Sequence, residues 1–243
     1  MRRTLLRFLV ILPLLSVLSG CGIIDYFYLP PPEDTAQEIF EAGNDAMRDK
    51  NYAKAKDYFN KLKDKYPFSP YAVESELSLA DAYYLDGDYL LAVDAYKEFE
   101  SLHPRHKAIP YVLFQIGNAN LESFVSIDRP QDNVAEGYEY LTRLKESFPG
   151  TEYAEKATAL MQRARKLMAA HEVFVADFYW RREDYGSAYE RYKYVMQNFK
   201  DVPDYQEYVK ERARLSYLKK TEQEAEILRE QDEGSWKDYF DWL

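Results

Sequence analysis

The sequence predicts an all-α protein, a solenoid of about five helix–turn–helix repeats. Three observations carry this. Beyond residue 37, proline stands at 67, 70, 104, 110, 130, 149 and 203, and the segments between are long, apolar-periodic and rich in helix formers. Proline breaks helix interiors, so these positions punctuate helices. Small residues recur at a fixed distance from those prolines. Glycine is scarce, 9 in 243 residues, which argues against a turn-rich β architecture and against glycine-rich phosphate loops.

Composition excludes further classes. A net charge of −10 lacks the basic footprint that nucleic-acid binding needs. One cysteine permits neither an internal disulfide nor a cysteine-based zinc site. Hydrophobic residues at 47% and charged ones at 30% are ordinary for a folded chain.

The N-terminus explains the lone cysteine. Arg2, Arg3 and Arg7 precede an apolar run over Phe8–Leu18. That run is too short to span a bilayer, which takes about 20 residues, and it fits a secretory signal. It ends in Leu18-Ser19-Gly20-Cys21, which resembles the lipobox of bacterial lipoproteins. The resemblance implies removal of residues 1–20 and acylation of Cys21, with an N-acyl chain (palmitate) and an S-diacylglycerol as the membrane anchor. Several buried acyl chains make anchoring stable. Gly22 at the next position implies sorting to the outer membrane in that family. Residues 21–37 follow as a tether, with Pro30-Pro31-Pro32 favouring extended geometry. Ile23, Ile24, Tyr26, Phe27 and Tyr28 suit the membrane interface equally well.

The repeats occupy residues 38–230. Twelve residues before Pro67, Pro104 and Pro149 stand Ala55, Ala92 and Gly137; four after those stand Phe59, Tyr96 and Leu141; seven after, Leu62, Phe99 and Leu144; three before, Tyr52, Tyr89 and Val134. These offsets share one helix face. A fourth copy has Tyr185, Ala188, Tyr192 and Val195, with Lys200 where proline is expected. An upstream helix carries Gly43, Ala80 and Ala176 twelve residues before Ala55, Ala92 and Ala188. In the third copy the matching Gly117 lies twenty before Gly137, which places an insertion around 122–132. A weaker fifth copy pairs Ala213 with Ala225. Residues 231–243 form a tail with aromatics at Trp236, Tyr239, Phe240 and Trp242.

This pattern resembles the tetratricopeptide repeat (TPR), two helices per unit with A-x₃-F…P in the second. Small residues let helices approach and large ones fill the next gap; one unit cannot bury its own face, so units stack. The fold class is therefore a TPR-like α-solenoid. Much of the tyrosine excess, 23 residues, falls on its packing columns.

No catalytic constellation stands out. His103 and His106 flank Pro104 in a turn without further ligands nearby, so no metal site is expected. His171 precedes Glu172 at the start of a helix. There is no nucleophile elbow, no Walker pattern and no free cysteine. The chain reads as a binding scaffold and not an enzyme, with no cofactor beyond the covalent lipid. In TPR arrays the first helices line a concave groove. The inward-facing candidates are Phe40, Asn44, Leu77, Asp81, Tyr84, Phe114 and Asn118, a mixture that suits an extended peptide.

Tyr66-Pro67-Phe68-Ser69-Pro70-Tyr71, Asp81-Ala82-Tyr83-Tyr84, His103-Pro104, Tyr111-Val112, Gly117, the insertion with Asp128-Arg129, and Glu172 to Tyr179 resemble the BamD family in order and spacing. Arg182, Tyr185, Ala188 and Arg191 continue the match. That family comprises the TPR lipoproteins of the machine that assembles outer-membrane β-barrels. The resemblance implies a lipid-anchored protein on the periplasmic face of the outer membrane. It implies contact with a BamA-like barrel subunit through its POTRA region, with other assembly lipoproteins, and with unfolded outer-membrane protein peptides. It places partner-binding roles on Arg191, as half of an arginine–carboxylate pair, and on Arg182. Lipobox and repeats alone also fit a TPR lipoprotein that organises peptidoglycan and the cell envelope, or that serves secretin or pilus assembly.

Overall fold

The computed structural model describes residues 34–233. Cys21, the signal segment, most of the tether and the aromatic tail lie outside these residues. The described residues form nine helices: α1 (Ala36–Arg48), α2 (Tyr52–Lys65), α3 (Ala72–Asp86), α4 (Tyr89–Leu102), α5 (Ile109–Glu122), α6 (Asp132–Ser147), α7 (Glu152–Arg181), α8 (Tyr185–Asn198) and α9 (Pro203–Glu233). Consecutive helices pack on one another, as short connections require.

Each helix begins where local chemistry starts one. Thr35 caps α1 in a capping box: Glu38 N–H donates to the Thr35 hydroxyl, and Thr35 N–H donates to the Glu38 carboxylate at 2.8 Å. Asn51, Thr151 and Asp184 accept from the first-turn amides of α2, α7 and α8. Pro110 sits in the first turn of α5, where its missing N–H is harmless.

The packing columns behave as the spacing predicts. Ala55, Phe59 and Leu62 are buried in the first pair, Ala92, Tyr96 and Phe99 in the second, Leu141 and Leu144 in the third, and Ala188, Tyr192 and Val195 in the fourth. The small residue of the first helix faces the large residue of the second. A Cβ on Gly43 would stand 2.5 Å from the Phe59 ring, and one on Gly117 2.5 Å from Leu141 Cγ. Gly117 and Gly137 also meet backbone to backbone, since a Cβ on Gly137 would lie 3.0 Å from the Gly117 carbonyl. Close packing of this kind leaves no room for a methyl group.

Two placements differ from the sequence reading. Ala213 and Ala225 do not head two helices: both lie on α9, with Ala213 buried and Ala225 exposed. Among the described residues the fifth unit is one long helix. No glycine or proline interrupts residues 204–233, so nothing breaks it. His171 likewise lies inside the 30-residue α7, not at a helix start.

Candidate peptide-binding face

The first helices of the second and third units, α3 and α5, carry five of the seven proposed groove residues. Asp81 on α3 is the hub. Its Oδ1 accepts from the Tyr96 hydroxyl at 2.5 Å and the Tyr111 hydroxyl at 2.6 Å. Gln115 Nε2 donates to Tyr111 Oη at 3.0 Å, and Asn118 Nδ2 donates to Tyr84 Oη at 2.7 Å. Phe114 lies 5.8 Å from the Tyr153 ring, and Leu77 packs partly buried on the central core. The strip thus combines aromatic faces with a hydrogen-bonded polar spine.

Its electrostatics follow from burial. Desolvation pushes the Asp81 carboxyl above its ordinary value, and the Tyr111 and Tyr96 hydroxyls partly offset that. Desolvation, reinforced by the Asp81 charge, raises both tyrosines far out of the physiological range. Tyr84 is raised by burial and then by the Glu122 charge. These hydroxyls stay protonated; Tyr96 and Tyr111 donate to Asp81, and the Tyr84 oxygen accepts from Asn118. They suit recognition rather than nucleophilic chemistry.

Two groove candidates are engaged within the chain. Phe40 is only 8% exposed; it stacks on Tyr71 with centroids 5.2 Å apart and belongs to the core. Asp81 is committed to two tyrosines inside the chain, so it shapes the face more than it offers a free carboxylate. Asn44 is half-buried on α1, one unit away from the strip.

The fourth unit repeats the arrangement. Asp177 Oδ1 accepts from Tyr192 at 2.5 Å and Tyr208 at 2.8 Å. Arg212 Nε donates to Tyr208 Oη at 3.1 Å, and its guanidinium lies 4.9 Å from the Trp180 ring centroid. Arg182 ends α7 with its guanidinium 5.5 Å from the Phe178 ring. Arg191 on α8 pairs with Glu172 on α7 at 2.8 Å; its side chain is 46% exposed against 18% for Glu172. The sequence reading missed Tyr111, Gln115, Tyr208 and Arg212. A signal existed: the residue after each small first-helix residue runs Asn44, Asp81, Asn118, Asp177, and it is Asp where the opposing column holds Tyr.

His103 Nε2 lies 2.8 Å from a Glu76 carboxylate oxygen, and its ring sits 5.0 Å from Phe99. It serves the turn between units. Among the described residues no group of three or more His, Cys, Asp and Glu is placed to hold a metal.

The chain is similar to known proteins over most of its length. Outer membrane protein assembly factor BamD of Neisseria gonorrhoeae is 28% identical over 178 residues, covering 69% of this chain and 67% of that one. The protein of the same name from Vibrio cholerae is 24% identical over 198 residues, covering 77% and 81%. A solved tetratricopeptide repeat protein from Parabacteroides merdae matches 82% of this chain and 80% of its own at 13% identity, with a TM-score of 0.41, too loose to weigh. The family model described as YfiO, outer membrane lipoprotein, matches residues 32–231. With nearly the whole described solenoid inside that match, the chain belongs to the YfiO family of outer membrane lipoproteins.

Proposed function

We propose that the chain is a non-enzymatic scaffold of outer membrane protein assembly. It is held to the periplasmic face of the outer membrane by lipid on Cys21. The α3–α5 strip receives segments of unfolded barrel substrates, and the Arg191 face of the fourth unit binds the POTRA region of a BamA-like barrel subunit. The observation that carries this is the family match across residues 32–231, joined to relatives named as assembly factors. The geometry supports it: aromatic faces with protonated hydroxyls and amides suit an extended peptide, and a half-exposed arginine paired with Glu172 suits an interface anchor. The test is recovery of the tagged chain from gently solubilised membranes. A large β-barrel protein with POTRA domains should accompany it, and Arg191→Glu should reduce that recovery. Repeated absence of the barrel protein overturns the reading.

A further inference from the structure

A cleft of about 300 Å³ opens where the 123–131 insertion meets α7 and α8. Pro130, Gln131 and Asp132 line one side, and Met168, His171, Glu172, Tyr194 and Phe199 the other. Its size admits one long side chain, at the lower end of the range for ligand pockets.

The polar lining is almost all acceptor. Asp132 is exposed at the start of α6, and no cation pairs with it among the described residues. Glu172 gives one oxygen to Arg191 and keeps the other. Gln131 Oε1 lies buried without a partner just beneath the wall, where it adds negative potential but is not itself open to a ligand. Its amide is not reversible, because Nε2 already donates to two carbonyls, Arg129 O at 2.7 Å and Ser126 O at 3.1 Å. His171 Nδ1 donates to the Ile127 carbonyl at 2.6 Å, which fixes the ring and turns Nε2 away from that bond. The apolar remainder is Pro130, Ala135, the Met168 thioether and two rings, Tyr194 and Phe199, with centroids 6.0 Å apart. The cations nearby are spent: Arg165, stacked 4.3 Å from the Phe199 centroid, is held by Asp201, and Arg191 by Glu172.

We propose that this cleft is a binding site for a single arginine side chain presented by a partner polypeptide. A guanidinium carries five donors and no acceptor, the complement of this lining. Its plane can rest on the Tyr194 ring and its methylene stem on Met168. The neighbouring arginines do not oppose it, since each is neutralised by its own carboxylate. The cleft shares Glu172 with the Arg191 pair, and the arginine probe below tests it without the barrel subunit.

The experiment titrates the full chain with Nα-acetyl-arginine amide while following the Met168 methyl resonance. Saturable shifts in the millimolar range are expected. The neutral isostere Nα-acetyl-citrulline amide should bind about tenfold more weakly, the loss of charge-assisted hydrogen bonds. Asp132→Asn, at an exposed position, should weaken the arginine probe and leave the fold intact by circular dichroism. No saturable shift, equal binding of citrulline, or indifference to Asp132→Asn overturns the proposal. Equal binding of the lysine analogue overturns the guanidinium assignment.

Discussion

The Tyr192 hydroxyl donates to Asp177 Oδ1 at 2.5 Å, fifteen residues apart in sequence and across the α7–α8 pair. Tyr96 and Asp81 stand in the same relation, at the same separation and distance. In each case a second tyrosine arrives from the next unit, Tyr208 or Tyr111. One carboxylate thus ties three successive helices. The first and third units, with Phe59 and Leu141 in the tyrosine column, carry Asn44 and Asn118 instead. Where the hydroxyl is missing, the charge is missing too, as expected if a half-buried carboxylate needs its donors.

This makes a mutant series predictable. Tyr96→Phe leaves Asp81 charged with one donor, and a hydrogen bond to a charged group is worth about 1.5–3 kcal/mol. Asp81→Asn keeps an acceptor for both hydroxyls and should cost less. The Asp81→Asn/Tyr96→Phe double variant recreates the Asn44/Phe59 pairing of the first unit. It should be more stable than the sum of the single losses by urea denaturation. Strict additivity would show that the two residues do not sense each other.

The same carboxylate sets a pH dependence. Burial holds the native Asp81 carboxyl above its ordinary 3.8. The native state therefore keeps this proton after the unfolded chain has released it. Across the interval from 3.8 up to the native value, the native state binds more protons, so stability falls as pH rises. Above that interval the Asp81 contribution is constant and unfavourable. Asp81→Asn removes the fall. Denaturation of both proteins between about pH 3 and 7 should show the variant gaining on the parent as pH increases. Parallel curves would mean that Asp81 titrates normally.

Arg191 invites a charge swap. Arg191→Glu alone places a carboxylate against Glu172 and disturbs α7–α8 packing whether or not a partner touches it. Glu172→Arg/Arg191→Glu restores the internal pair with its direction reversed. If Arg191 contacts the barrel subunit directly, the swap should regain thermal stability yet recover no more barrel protein than Arg191→Glu. Recovery restored along with stability would assign Arg191 to internal packing.

The sequence made the helix pairs legible because both of their requirements are local: prolines that stop helices and small–large columns that let them pack. Lengths of α7 and α9 were less legible, because a search for repeats expects a break every unit. The actual signal was the lack of glycine and proline between Thr151 and Tyr185 and again after Pro203. The groove was half legible. Tyr84 and Asn118 meet as their face requires, but Phe40 turns inward because Tyr71, the N-cap of α3, offers a ring to stack on. Contacts supplied by the next unit, such as Tyr111 on Asp81, follow only once the superhelical stacking is known.

The turns inside each unit give a last prediction. Lys50 (φ 57°), Gly87 (φ 86°) and Glu183 (φ 62°) adopt left-handed backbone between the paired helices. Each stands seven residues after the small residue of its first helix, Gly43, Ala80 or Ala176. The insertion replaces this turn in the third unit, where the seventh residue is Phe124. Glycine is the residue that adopts this conformation freely, and only the second unit uses it. Lys50→Gly and Glu183→Gly should therefore each stabilise the chain by about 0.5–1 kcal/mol, the relief of left-handed strain less the extra freedom of the unfolded chain. The Glu183 carbonyl, which accepts from Gln223 Nε2 at 3.2 Å, survives the change. Gly87→Ala should cost about 1 kcal/mol through backbone strain alone, because a Cβ there meets nothing within 4 Å. Thermal denaturation of the three variants separates the cases. A loss in both glycine variants would mean that the Lys50 and Glu183 side chains, not the turn geometry, hold these corners.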